Sequence, residues 1–280
     1  MRKKTPYGFI VYLTNYCKLR CRHCFWVQNN KINTEYIPYN EVCKMIDTMA
    51  ENKIFMIAYT GGDPLLHPDI FKILQYTRKK NILPLLGISG IDMTEEIADK
   101  IYNSGVRCVQ VSLDDVDRKY NDYMRGESCF KYVDECINIL QHHNINVNLA
   151  ICLNKYNYKN LFDMLQYAYQ KNIYEVKIQF WKKFNKDYKV ERIEELDQEK
   201  KQSVINMCRS YEKEVGRVKW ISLPIKNDEV MPFSRAHIID TNGDIKYNEQ
   251  SEVIGNIYNG GLEYIINDEK REKAANKMKI

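Results

Sequence analysis

The stretch Thr14-Asn-Tyr-Cys17-Lys-Leu-Arg-Cys21-Arg-His-Cys24-Phe25 follows a β-branched and aromatic run, Phe9 to Leu13, that reads as a strand. It places three thiols within eight residues, in a loop that Lys18, Arg20 and Arg22 make too polar for a core segment. Thiolate sulfur binds soft metals, and a structural zinc or an ordinary iron-sulfur cluster takes four protein ligands. The spacing CxxxCxxC supplies three. If Cys17, Cys21 and Cys24 hold a 4Fe-4S cluster, one iron has no protein thiolate and is open to an outside ligand. The rival reading is a zinc site that borrows His23, in a nonenzymatic zinc- or cluster-binding adaptor.

Outward from this loop, short apolar runs alternate with segments of helical spacing, the pattern of a mainly parallel β/α architecture. Strands are expected at Phe9 to Leu13, Ile54 to Tyr59, Ile82 to Ile88, Arg107 to Leu113, Asn146 to Cys152 and Glu175 to Phe180. Helices are expected around Asn40 to Ala50, with Asn40 as N-cap, and over Ile70 to Arg78, Thr94 to Asn103, Tyr132 to Leu140, Leu161 to Ala168 and Val204 to Tyr211. Six such units are fewer than the eight of a complete barrel, so the fold class is α/β, a partial (β/α)6 TIM-like barrel, open as an arc. After Ser222 the character changes, and Ile238-Ile-Asp-Thr-Asn-Gly-Asp-Ile-Lys-Tyr247 carries an Asn-Gly hairpin signal. The expected division is a barrel over 1–222 and a small C-terminal appendage containing a β-hairpin over 223–280.

The 280 residues, 44% hydrophobic and 28% charged, fit a globular chain with a substantial core. No apolar run approaches the roughly 20 residues that cross a bilayer, so no membrane partner is expected. The start, Met1-Arg-Lys-Lys-Thr-Pro6, is basic, but the apolar stretch after it is too short for a signal peptide. Nine cysteines, three in the loop and six scattered singly, do not form the framework of a small secreted domain, which points to a cytoplasmic protein. A net charge of +5 does not call for nucleic acid. The densest basic stretch, Trp181-Lys-Lys-Phe-Asn-Lys-Asp-Tyr-Lys189, reads as a solvated loop, with attraction of an acidic substrate as the alternative.

Taken together, the cysteine loop and the motifs that follow resemble the radical S-adenosylmethionine (SAM) enzymes, in the branch with SPASM/twitch extensions. Tyr59-Thr-Gly61-Gly62-Asp63-Pro64 is similar to that family's GGEP element, where glycines let backbone approach the ligand and an acidic side chain meets the SAM ammonium group. Asp63 departs from the commoner Glu by one methylene. Val109-Gln-Val-Ser112-Leu-Asp114-Asp resembles the element whose Ser approaches SAM, and Arg125 stands where the family often has an Arg for the SAM carboxylate. Ser89 sits at a turn that faces the ribose in many relatives, and Phe25 is placed to flank adenine. Gln179 is expected to face substrate or SAM, or to line the barrel as a structural amide.

The resemblance implies one 4Fe-4S cluster, SAM as cofactor, reductive cleavage to a 5'-deoxyadenosyl radical, and hydrogen abstraction from a small-molecule or peptide substrate. It also implies a reductant such as flavodoxin or ferredoxin. Gly243 to Asn248 with Ile254 to Ile257 resembles the SPASM-type extension, but Asn248 stands at the expected cysteine position and no cysteine follows Cys208. A degenerate extension without an auxiliary cluster is expected, retained as a lid. With no second cluster to accept an electron, redox-neutral epimerisation or rearrangement is favoured over the crosslinking or oxidation of ribosomal peptides. Cys17 so near the start argues against a leader-binding domain ahead of the barrel. A redox-neutral path needs a hydrogen-atom donor, and Cys152, at the C-terminal end of the fifth strand, is the candidate; a small buried apolar role is the alternative.

Overall fold

The computed structural model describes residues 6–224, 236–247 and 251–266. Its elements in chain order are β1 (Gly8–Thr14), α1 (Phe25–Gln28), α2 (Tyr39–Glu51), β2 (Met56–Gly61), α3 (Ile70–Lys79), β3 (Leu83–Ile88), α4 (Glu95–Asn103), β4 (Cys108–Ser112), α5 (Arg118–Arg125) and α6 (Cys129–His142). They continue with β5 (Asn146–Leu153), α7 (Leu161–Gln170), β6 (Glu175–Phe180), α8 (Gln198–Glu214), β7 (Ile221–Ser222), β8 (His237–Ile239), β9 (Asp244–Lys246), β10 (Gly255–Asn256) and α9 (Gly261–Ile266). All six expected strands are present. The α2 cap differs: Pro38 occupies the N-cap and Asn40 lies inside the helix, because proline is already fixed at a φ suited to helix entry.

Strands β1 to β6 pair in parallel in sequence order, each next to the one before, as right-handed β/α units require. Alternation along each strand sorts side chains to two faces. Val11, Leu13, Ile57, Tyr59, Leu86, Val109, Val111, Leu149, Ile151, Val176 and Ile178 are buried in one apolar core with residues of the helices, such as Ile46, Leu74, Ile101, Ile137 and Leu165. The opposite parity, Tyr12, Thr60, Gly87, Gln110, Ser112, Ala150, Cys152 and Gln179, is mostly polar or small and lines a cavity. A strand whose second face carries amides and hydroxyls is built to bind, since a purely structural interior would be filled by apolar side chains.

Among the described residues the sheet has ten strands, in the order β10-β9-β8-β1-β2-β3-β4-β5-β6-β7. β7 pairs in parallel with β6, and β8 pairs in parallel with β1, Phe9 opposite His237 and Val11 opposite Ile239. The expected hairpin is β8 and β9, closed by Asp240 to Gly243 with Gly243 at φ +79°, and it continues the barrel sheet past β1. It covers what would otherwise be an open strand edge. Asn248 lies outside the described residues.

Candidate active site

The C-terminal ends of β1 to β6, or the loops after them, send residues to one cavity of about 670 Å³. After β1 come Cys17, Cys21, His23, Cys24 and Phe25, and after β2 Gly61 and Gly62. Ser89 follows β3, Ser112 ends β4, Arg125 ends α5, and Cys152 and Gln179 stand at the ends of β5 and β6. Ten of the eleven residues assigned from sequence therefore line a single space; the exception is Asp63.

The glycines act first on the protein's own backbone. Gly61 has φ +134°, and a Cβ there would lie 2.3 Å from the Thr14 carbonyl oxygen; one on Gly62 would lie 2.1 Å from that of Tyr16. Gly62 N–H donates to Thr14 O at 2.6 Å and Asp63 N–H to Tyr16 O at 2.7 Å, so the end of β2 is stitched to the start of the cysteine loop. Asp63 is buried and does not line the cavity. Its Oδ1 accepts from Leu65 N–H at 3.1 Å, and its Oδ2 accepts from the Ser89 hydroxyl and from Ser89 N–H at 3.2 Å. Burial raises its pKa against these hydrogen bonds. One methylene shorter than Glu, the side chain caps its own turn and holds Ser89.

Asp114 is the residue that sequence reasoning quoted without using. Its Oδ1 accepts from Arg125 Nη2 at 3.0 Å and from Cys152 N–H at 2.9 Å, while its Oδ2 lies 2.8 Å from Arg125 Nε and 3.5 Å from His23 Nδ1. Burial alone would raise its pKa, but the charges of Arg125 and His23 and these hydrogen bonds hold it below the usual carboxylate range. Burial opposes the charge on Arg125 as well, and Asp114 outweighs it, so the guanidinium stays ionised. The His23 imidazole is pushed down to about 4 by burial, against the pull of Asp114. One carboxylate thus ties together the cysteine loop, the guanidinium and the backbone of Cys152. The signal was in the sequence, since Asp114 lies two residues after Ser112 and eleven before Arg125.

The donor set fits a cluster better than a single ion. Burial raises the Cys17 thiol to about 11 and pushes Cys21 up as well, so bare thiolates are unstable here and need a coordinated cation. Among the described residues, Glu95, His142 and His143 form the only group of three or more His, Cys, Asp or Glu whose donor atoms all lie within 4.8 Å of one another. The loop thiols stand wider than that, whereas ligands of one tetrahedral zinc with Zn–S of about 2.3 Å would be about 3.8 Å apart. Arg22 N–H donates to Met124 O at 2.8 Å and Arg22 Nε to Tyr123 O at 2.9 Å, bracing the loop on α5.

Residues 11–168, more than half of the chain, match the radical SAM superfamily. The chain belongs to the radical SAM superfamily. It is an enzyme of that family, and its cofactors are a 4Fe-4S cluster and SAM. Its similarity to curated radical SAM relatives is partial. It is 30% identical over 159 residues to the Fe-coproporphyrin III synthase of Methanosarcina barkeri, covering 55% of this chain and 39% of that one. It is 28% identical over 157 residues to the subtilosin biosynthesis protein AlbA of Bacillus subtilis, covering 55% and 35%. The matched part thus spans little more than a third of these relatives. Streptococcus suis SuiB, solved bound to S-adenosylmethionine, shares the fold with a TM-score of 0.77 at 14% identity, over 97% of this chain and 68% of that one. SuiB bound to its precursor peptide SuiA aligns with a TM-score of 0.78 at 13% identity, over 97% and 67%. No described helix is long and apolar enough to cross a membrane.

Proposed function

We propose that this radical SAM enzyme epimerises a residue of a peptide substrate without net oxidation, with Cys152 as the hydrogen-atom donor. When bound, the cluster and SAM supply the 5'-deoxyadenosyl radical that takes a hydrogen atom from the substrate carbon. Cys17, Cys21 and Cys24 are the cluster ligands in this reading. Gly61, Gly62, Ser89, Ser112, Arg125 and Phe25 form the SAM-binding wall, and Asp63 supports it by holding Ser89. The observation that carries the proposal is that Cys152 lines the same cavity as the three cluster thiols, while Cys43, Cys108, Cys129, Cys136 and Cys208 do not.

Cys152 meets the needs of a donor. Burial raises its pKa, with the Asp114 carboxylate adding to the effect, so the group keeps its S–H bond at neutral pH. Its N–H is fixed by Asp114, which fixes the strand end that carries it. Transfer of a hydrogen atom to the opposite face of the substrate radical leaves a sulfur-centred radical, and one electron from the reductant with one proton restores the thiol. Flavodoxin or ferredoxin is the class of reductant expected. A peptide is favoured as substrate because SuiB, which has the same fold, was solved with a precursor peptide and AlbA acts in bacteriocin biosynthesis. One cluster is the content that the three loop cysteines account for in this reading.

The test is turnover in deuterated water with the holoenzyme and its peptide. One solvent-derived deuterium is expected at the inverted carbon, and Cys152→Ala should still form 5'-deoxyadenosine while losing the epimerised product. An unaffected Cys152→Ala enzyme would remove this residue from the reaction. An oxidised or crosslinked product would overturn the redox-neutral reading.

A further inference from the structure

The segment after β6 is not the freely solvated loop that its composition suggests. Trp181 Nε1–H donates to His23 O at 3.3 Å, Phe184 N–H to Gln28 Oε1 at 3.1 Å, and Asn185 Nδ2 to Gln28 O at 2.9 Å. The Tyr188 hydroxyl donates to Arg22 O at 2.9 Å, and the Tyr120 and Tyr123 hydroxyls donate to Arg192 O and Glu191 O at 2.8 and 2.9 Å. Phe184 packs edge-on against Phe25 with ring centroids 4.9 Å apart. Residues 181–192 are thereby laid across the cysteine loop and α5, and Trp181, Lys182 and Phe184 form part of the cavity wall.

This rim is charged with one sign in excess. Residues 181–192 hold five cations and two carboxylates. Among the described residues, none of Lys182, Lys183, Lys186, Lys189, Arg192, Arg20 and Arg22 has a carboxylate within ion-pair distance, whereas Lys44, Lys72, Lys100, Lys155 and Lys200 each have one. Arg20 Nη1 donates to the carbonyls of Cys17 and Leu19 at 2.6 and 2.9 Å, and the Arg22 guanidinium lies 4.3 Å from the Tyr123 ring centroid. Carbonyls and a ring hold the Arg20 and Arg22 guanidiniums in place, with no carboxylate of the described residues at ion-pair distance. Lys182 lines the cavity, the other cations lie on the segment and loop beside it, and an excess of one sign of charge beside a cleft concentrates ligands of the other.

We infer that the collar of Lys182, Lys186, Lys189, Arg192, Arg20 and Arg22 selects an acidic peptide, whose carboxylates it draws into the cavity past Lys182. The inference rests on the peptide reading above and narrows its substrate class. An acidic protein docking on the outer rim would use the same outer charges but would not reach Lys182, and that difference separates the two.

The probe is a rhodamine-labelled hexaglutamate peptide, with hexaglutamine as control, titrated into the reconstituted holoenzyme and read by fluorescence anisotropy. Hexaglutamate should bind, and its affinity should fall about tenfold or more as salt rises through the range where the Debye length drops below about 8 Å. Lys182→Gln should weaken binding about fivefold or more, Lys186→Glu with Lys189→Glu about tenfold, and Lys183→Gln, outside the cavity wall, less than either. Circular dichroism and SAM binding report whether each variant is folded. Equal binding of hexaglutamate and hexaglutamine would overturn the inference. So would full binding by Lys182→Gln alongside loss in the Lys186→Glu/Lys189→Glu variant, which is the pattern of a partner on the rim. Formation of 5'-deoxyadenosine is measured separately, so a failed collar and a failed reaction are distinguishable.

Discussion

Replacing Cys17, Cys21 or Cys24 by Ala is expected to abolish both cluster loading and SAM cleavage after anaerobic reconstitution. In the proposed assignment each thiol is one of three protein ligands to a group that lacks a fourth, so no spare donor compensates. The loop's imidazole, His23, has its Nδ1 3.5 Å from Asp114 Oδ2. The fold should survive, because these side chains are half-buried and belong to no core cluster. Iron and sulfide analysis, with 5'-deoxyadenosine quantified by chromatography, reads the result. Full loading in any one variant removes that cysteine from the ligand set.

The second large effect is expected at Asp114. Asp114→Ala leaves the Arg125 guanidinium buried without its partner and frees the Cys152 N–H. Breaking a buried ion pair on one side typically costs about 3–5 kcal/mol, a large share of the stability of a globular domain. Arg125→Ala should cost a comparable amount by stranding the carboxylate, and it should weaken SAM binding in whatever protein folds. The double variant Asp114→Asn with Arg125→Gln removes both charges and should recover much of the stability without recovering SAM affinity. Chemical denaturation and SAM titration separate the two quantities. Equal stability of Asp114→Ala and the unaltered protein would show that this pair does not hold the site together.

Much of the barrel was legible because period and punctuation agreed: the runs ending at Leu13, Tyr59, Ile88 and Cys152 are followed within two residues by a glycine, serine or asparagine that opens a loop. Cysteine spacing, the Gly61-Gly62 pair and Ser112 pointed to one cavity because loops at the C-terminal ends of successive strands converge in such folds. What sequence could not show was side-chain direction. Asp63 turns to Ser89 and its own turn, a choice set by side-chain length and local hydrogen bonding. Arg125 reaches Asp114 eleven residues away, a pairing that depends on α5 returning toward β4. The join of β8 to β1 spans more than 220 residues of chain and has no local signature, so the hairpin was legible but its pairing with β1 was not. The basic segment after β6 looked solvated because composition says nothing of the tyrosines and amides that hold it over the cysteine loop.

What the reconstituted protein does with SAM under reduction is the most direct test of the cavity as a radical-generating site. Anaerobic reconstitution should give about four irons and four sulfides per chain, the content of one cubane cluster, and dithionite with SAM should then yield 5'-deoxyadenosine and methionine in equal amounts. About eight irons would reveal a second cluster and contradict the redox-neutral reading; a loaded cluster that leaves SAM intact would contradict the assignment of the cavity as a radical-generating site.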